Sequence, residues 1–546
     1  LSSLATSLNI IEMKTVRLLL VFCVLAFIGG VVGLVLSGLL KKKADKVTQV
    51  KEIPSSESAQ YSKEEVLDRF SEPAKFEASE LAIDYPVNTV KGELIIQFSN
   101  RVDYLAYLRA LATADLLPLG QIEELMAVRI SPDSMQTVNP GLFGAEPDFS
   151  YVVTRPPPIE LSPAAFASLR GFGQSARQIV GGPFEGDGAG VLVAILDSGI
   201  QAHAYFDDVN IVPIDLVGIG VGTAGAGHGT SVASIIAGAE GIAPNAELIV
   251  IRVLDDQGVG NSYHVAEGVV QATDMGVKLI NLSLGVYQDS ALLRNAIHYA
   301  HQKGVLLIAA AGNDGYTRMP FPAAYEQVLS VTAVDANQRH ALFPNQSHTI
   351  DIAAPGVSIL TANEDQGTIL FTGTSAAAPF VSGTLAAMLS VDSSRTPSQM
   401  VDLLKRYLND AGSAGEDVAY GDGVIDWDRL RERATRGVLD LAVADIYLNP
   451  AALPGTSMPI EVTVQNRGTQ WSQEATLEVV IGDGEPVEFI VGALGPGLTT
   501  TRKVFSQVPS ADSVKALEIA ARVLPEDIHT DVRLDNNIKA VSFKTK

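Results

Sequence analysis

The pattern of apolar and polar positions changes character several times along the 546 residues. Leu18 to Leu40 (LLLVFCVLAFIGGVVGLVLSGLL) runs 23 residues without a charge. As a helix it would extend about 34 Å, enough to cross a bilayer. Lys14 and Arg17 precede it, and Lys41-Lys42-Lys43 follow. The length of the run and the lysines after it predict an uncleaved signal-anchor (helix 18–40 within residues 1–43) in preference to a removable signal peptide. Residues 44–83 are polar and mixed in charge and read as a tether. Residues 84–156 carry a new pattern. GELIIQFS is strand-like, and Val102, Leu105, Leu108 and Leu111 recur at helical spacing. AVRIS (127–131) is a second strand, Pro132–Val138 a short helix, and DFSYVV (148–153) a closing strand. This β-α-β-α-β order predicts a small α+β unit.

Thr154-Arg-Pro-Pro-Pro158 is an extended, proline-stiffened linker. From 157 to 436, short apolar runs alternate with helical stretches: VLVAILDSG, AELIVIRVL, KLINLSLG, GVLLIAAAG and VLSVTAV. Such runs, each bounded by turn residues, predict an α/β unit whose parallel sheet is buried on both faces. Residues 437–546 change again, to about seven alternating strands parted by Gly, Pro and Asp. Ile460, Val462 and Val464 mark one face of one strand, and Leu477, Val479 and Ile481 mark another. That pattern predicts an antiparallel β-sandwich.

Composition narrows the functional classes. A net charge of −23 argues against a nucleic-acid-binding surface. The single cysteine, Cys23, lies in the apolar segment, so neither an intramolecular disulfide nor a cysteine zinc site is available.

The chemistry gathers around Phe371-Thr-Gly-Thr-Ser-Ala-Ala-Ala-Pro379. Small residues leave the Ser375 hydroxyl accessible at the start of an apolar helix, where the dipole favours developing negative charge. A serine is a poor nucleophile unless a base takes its proton and a third group orients that base. Asp197 ends an apolar strand in Asp-Ser-Gly, and His228 opens a helix in Gly-His-Gly-Thr. Asn313 follows a buried strand in AAAGNDG, where a side-chain amide can serve a tetrahedral oxyanion. Each piece alone is compatible with an ordinary turn or cap; four of them in the order Asp, His, Asn, Ser are not. His298 and His301 share one helix face, but without a third ligand they read as exposed helix residues. His264 and His340 read as surface or satisfied core residues, and Asn281 and Asn345 match a glycosylation pattern only formally.

These segments resemble the subtilisin-like serine proteases (subtilases) over about residues 185–436. The resemblance implies Asp197 as orienter, His228 as base and then acid, Ser375 as nucleophile, and Asn313 with the Ser375 N–H as oxyanion donors. It implies that Ser283, Leu284 and Gly285 pair with substrate as an added strand, and that Ala310, Ala311 and Gly312 line the pocket before the scissile bond. Many family members wrap a calcium ion after the histidine helix; here Ala237-Gly-Ala-Glu-Gly runs directly into Ile242-Ala-Pro, that loop looks missing, and no cofactor is expected. Asp207 or Asp208 would be candidates for a cation elsewhere, though an oxygen-rich pair more often marks a solvated turn. Residues 84–156 resemble the family's ferredoxin-like inhibitory propeptide, and residues 437–546 resemble CARDB-type, immunoglobulin-like modules. The expectation is an autoprocessed proenzyme with polypeptide substrates and its own prodomain as inhibitor, anchored by the N-terminal helix. Lysine counts alone would put the bulk of the chain in the cytoplasm, whereas the family works outside, and the extracytoplasmic orientation is preferred. The rival is a non-catalytic surface binding protein that keeps the fold as a scaffold.

Overall fold

Seven parallel strands form the centre of the molecule, in the order β13-β12-β11-β10-β6-β8-β7. They are β6 (Leu192–Asp197), β7 (Ile211–Asp215), β8 (Glu247–Arg252), β10 (Leu279–Leu282), β11 (Leu306–Ala310), β12 (Val328–Val334) and β13 (Ile352–Pro355). The computed structural model describes residues 83–543 except 160, 183, 185, 450–452, 454, 509–515 and 527–530. The expected membrane helix 18–40 and tether therefore lie outside the described residues.

Alternation along each strand builds two cores. On β6, Val193 and Ile195 face helices α3 (Gly227–Ile236) and α6 (Thr374–Val391). Ala194 and Leu196 face α4 (Ser262–Asp274) and α5 (Ala291–Gln302). Strands covered on both sides have no polar face to show, hence their continuous apolar runs. The 18-residue helix α6 is apolar enough to cross a membrane, yet 89% of it is buried in the first core. Strands β7 and β13 escape the sequence pattern for different reasons. β7 is an edge strand, half exposed and interrupted by Pro213, which an edge tolerates. β13 is only Ile-Ala-Ala-Pro, too short and small to stand out.

Ahead of this sheet, β1 (Leu94–Gln97), α1 (Arg101–Thr113), β2 (Gly120–Ile122), β3 (Ala127–Ile130), α2 (Pro132–Thr137) and β4 (Pro147–Asp148) form an antiparallel sheet ordered β2-β3-β1-β4. That is the split β-α-β arrangement of ferredoxin-like folds, with one strand, β2, more than the sequence pattern indicated. The stretch expected as a single closing strand is divided. Pro147–Asp148 pairs with β1, while β5 (Val152–Thr154) leaves the unit and pairs with β9 (Val259–Asn261) of the large unit.

The C-terminal strands form two antiparallel sheets, one of 441–448, 457–466 and 499–507, the other of 475–481, 487–491, 517–525 and 538–543. Their inner faces interleave Ile460, Val462 and Val464 with Leu477, Val479, Ile519 and Val523. Before the last strand, Asn536 and Asn537 donate to Asp440 (2.8 Å) and Asp531 (3.1 Å). Buried Arg429 links this sandwich to the α/β unit by donating to the Arg467 carbonyl at 3.1 Å.

Candidate active site

Asp197, His228, Asn313 and Ser375 come from four elements and meet at the carboxyl edge of the parallel sheet, where open α/β sheets place ligands. Asp197 ends β6 and is fully buried. Its Oδ1 accepts from the Ser198 N–H at 2.7 Å and lies 2.8 Å from His228 Nδ1. A carboxylate this close holds the imidazole with Nδ1 protonated and leaves Nε2 free to act as a base. The approach of α3 to β6 demands glycine: a Cβ on Gly229 would stand 2.1 Å from the Gly199 carbonyl oxygen. The other side of the imidazole meets Phe371 edge-to-face at 5.3 Å.

Ser375 is the second residue of α6, in the first turn, where N–H groups lack intrahelical acceptors. Its side chain is buried (3% exposed), and its Oγ has no hydrogen-bond partner. Its carbonyl is also released from the helix. The residue four places on is Pro379, which has no N–H to donate, and Ser283 Oγ donates to the Ser375 oxygen instead, at 3.2 Å. Ser283 in turn accepts from Asn281 Nδ2 (3.1 Å), and Asn281 Oδ1 accepts from Ser382 (2.9 Å). Asn281, buried in β10, is thus a structural residue beneath Ser375.

The orientation of Asn313 is fixed by a residue that the sequence pattern did not single out. Thr374 donates from its backbone N–H (3.0 Å) and its Oγ1 (2.9 Å) to Asn313 Oδ1. With its oxygen so engaged, the amide can only offer Nδ2 to the cleft. Gly373, at φ +147°, makes room for it, since a Cβ there would lie 3.0 Å from Nδ2.

Residues 152–157 of the chain itself occupy the cleft. Thr154 donates to the Gly285 carbonyl at 3.1 Å and accepts from the Gly285 N–H at 2.8 Å. Arg155 N–H donates to Gly258 on the opposite side at 3.0 Å, and Asn313 Nδ2 reaches the Pro157 carbonyl at 3.4 Å. The second flanking strand, β9, lies in the Gly-rich turn DDQGVGN, whose glycines are the signal the sequence offers for it. Leu284 is buried beside Gly285. Gly312 borders a recess of about 180 Å³ with Pro156, Pro157, Tyr287 and Asp314, whereas Ala310 and Ala311 lie in the cores.

The larger recess, about 380 Å³, lies elsewhere, between Asp207, Asp208, Arg177 and the 238–245 turn. Arg177 already puts a positive charge in this recess, its guanidinium donating to the Ala239 carbonyl at 3.2 Å and its backbone N–H to the Glu240 carbonyl at 3.0 Å. Among the described residues no group of three or more His, Cys, Asp or Glu could hold a metal, and His298 and His301 stand exposed on α5. His340 is half-buried against Tyr420, and desolvation pushes it down to about 4.

Comparison with known proteins agrees with this geometry. Residues 188–423 match the subtilase family model, and residues 438–541 match the CARDB model. Alkaline elastase YaB of Bacillus sp. (strain YaB) is 30% identical over 384 residues, covering 67% of this chain and 95% of that protein. An alkaline protease of Alkalihalobacillus alcalophilus is 31% identical over 385 residues, with the same two coverages. Subtilisin Savinase of Lederbergia lenta is 37% identical over 261 residues, 46% of this chain and 92% of that protein.

Proposed function

The chain belongs to the subtilase family and is a subtilisin-like serine endopeptidase, and from that premise we propose how its residues carry out the reaction and how the enzyme is held in check. Ser375 Oγ attacks a peptide carbonyl while His228 Nε2 takes its proton, and Asp197 stabilises the imidazolium that forms. The oxyanion is met by Asn313 Nδ2 and the Ser375 N–H. His228 then protonates the leaving amine, and water hydrolyses the acyl-enzyme by the reverse steps. The observation that carries this reading is that Asn313, with its oxygen tied to Thr374, directs its amide at a peptide carbonyl seated in the cleft.

That carbonyl belongs to the chain's own Pro157, which supports the ferredoxin-like unit as an inhibitor holding its tail in the substrate strand. Residues 84–156 act as prodomain, and processing falls between Val153 and Arg177. The N-terminal helix anchors the precursor with its catalytic part outside the cytoplasm, and processing releases the acidic enzyme. The sandwich serves as an adhesion or spacer module. A scaffold without activity would have no use for Asn313 held by Thr374. In the processed enzyme, His228→Ala and Ser375→Ala should each lower kcat for casein hydrolysis by roughly 10⁴-fold or more. Retention of activity in either variant would refute the assignment.

A further inference from the structure

The segment lying in the cleft is chemically unusual as a substrate. Thr154 is paired with Gly285 and Arg155 with Gly258, and the carbonyl facing Asn313 is that of Pro157. The bond that follows the carbonyl beside Asn313 is therefore Pro157–Pro158. A slip of one or two residues in register would present Pro156–Pro157 or Arg155–Pro156 instead. All three bonds carry proline on the nitrogen side. A proline nitrogen bears the ring Cδ where other residues bear hydrogen, and its φ is locked. Collapse of a tetrahedral intermediate requires His228 to protonate that nitrogen as it leaves. The ring methylene crowds the imidazole there, and the locked ring prevents the nitrogen from turning its lone pair towards the acid.

The chain after the prolines is already in place without a cut. Arg170 N–H donates to Asp335 (3.2 Å), Phe172 N–H to the Val357 carbonyl (3.0 Å) and Gly173 N–H to the Ser358 carbonyl (2.8 Å). Between the cleft and this anchor lies the six-residue helix Pro163–Ser168, bearing Phe166 at 49% exposure and tied down at its end by Arg339, which donates to the Ser168 carbonyl at 2.9 Å. A helix this short opens readily to an extended substrate conformation.

We propose that Pro156-Pro157-Pro158 makes the seated tail an occupant of the active site and not a substrate, so that the chain does not cut itself there. Active enzyme is instead supplied by an intermolecular hydrolysis of a non-prolyl bond between Leu161 and Leu169. In that step water adds across the peptide bond, leaving a carboxylate on the prodomain piece and an ammonium on the new N-terminus. Severing the tether removes the high effective concentration of the tail, and the prodomain becomes a dissociable inhibitor. The inference rests on the assignment of Ser375 as nucleophile.

The test uses the full chain in detergent micelles at two concentrations, with intact mass and N-terminal sequencing over time. Beside it run Pro156→Ala/Pro157→Ala/Pro158→Ala and, as a substrate for a trace of matured enzyme, Ser375→Ala. The wild type should be cut between Leu161 and Leu169 at a rate that rises with concentration, and Ser375→Ala should be cut there only when matured enzyme is added. The triple variant should cut itself within residues 155–158 at a rate independent of concentration. A wild-type product beginning at Pro156, Pro157 or Pro158 at equal rates at both concentrations would overturn the proposal while leaving Ser375 as nucleophile. A wild type that stays whole at both concentrations while the triple variant cuts itself would overturn the intermolecular step. If the triple variant also stays whole and does not react with a fluorophosphonate, the assignment of Ser375 fails, and the proposal with it.

Discussion

Asn313 could be picked out from its own neighbours, a tight Asn-Asp-Gly turn after a buried strand, but what makes it useful could not. Its partner Thr374 is 61 residues away in sequence, and nothing local to either residue announces the contact. The same holds for Ser283, whose hydroxyl supports the carbonyl of Ser375, 92 residues on. Side-chain networks assembled by the sheet are invisible to periodicity, which reads one element at a time. If Thr374 positions Asn313, then in the processed enzyme Thr374→Val should lower kcat by about tenfold with KM little changed, and Thr374→Ser should restore most of it. Direct loss of the donor in Asn313→Ala should cost roughly 10²–10³ in kcat. Steady-state kinetics on one peptide substrate checks both; equal falls in stability and activity for Thr374→Val and Thr374→Ser would mark Thr374 as merely structural.

At the scale of elements, the buried strands were legible because burial on both faces leaves long apolar runs, and the sandwich because burial on one face leaves alternation. What escaped was short or shared. β2 has three residues, β13 is small-residue, and the stretch 148–153 contributes to two different sheets, a division that no single-segment pattern contains. The contact between β6 and α3 is decided by backbone proximity at Gly229. Gly229→Ala must push the Gly199 carbonyl away or shift the helix that carries His228, and it should cost about 1–3 kcal/mol with a disproportionate loss of kcat. Chemical denaturation and kinetics on the same variant provide the check; unchanged stability would mean that α3 has slack here.

Over the whole molecule, the ferredoxin-like unit grips the α/β unit through Arg129, which lies 3.0 Å from His264 Nε2 and over the Tyr263 ring at 4.6 Å. Burial, and then the Arg129 charge, press His264 from its ordinary 6.5 down to about 4, against a smaller opposing pull from Asp215. The imidazole is thus held neutral in this contact, and separation of the ferredoxin-like unit would relieve the part of the shift that the contact causes. The undocked state therefore binds more protons between these values, and docking, fully stable above about 6.5, weakens as the pH falls towards about 4. Glu267, raised by burial, and Glu93, 3.4 Å from Arg129, face the same contact, and Glu267 works in the opposite direction. In the uncut Ser375→Ala chain with Glu267→Gln, hydrogen exchange across residues 94–130 should quicken as the pH is lowered through this range, after correction for intrinsic rates. His264→Gln should flatten that dependence; an unchanged profile would remove His264 as its cause.

Every step proposed for the reaction depends on Ser375 being the nucleophile of a working endopeptidase. The most direct measurement is the intact mass of the full chain and of its Ser375→Ala variant after prolonged incubation at high concentration, followed by a fluorophosphonate. The wild type should lose its N-terminal part, with a new N-terminus between Val153 and Arg177, and the product should gain one phosphonyl group on Ser375. The variant should stay whole and unlabelled. Two chains that remain whole and unlabelled, or that are cut and labelled alike, would contradict this role of Ser375.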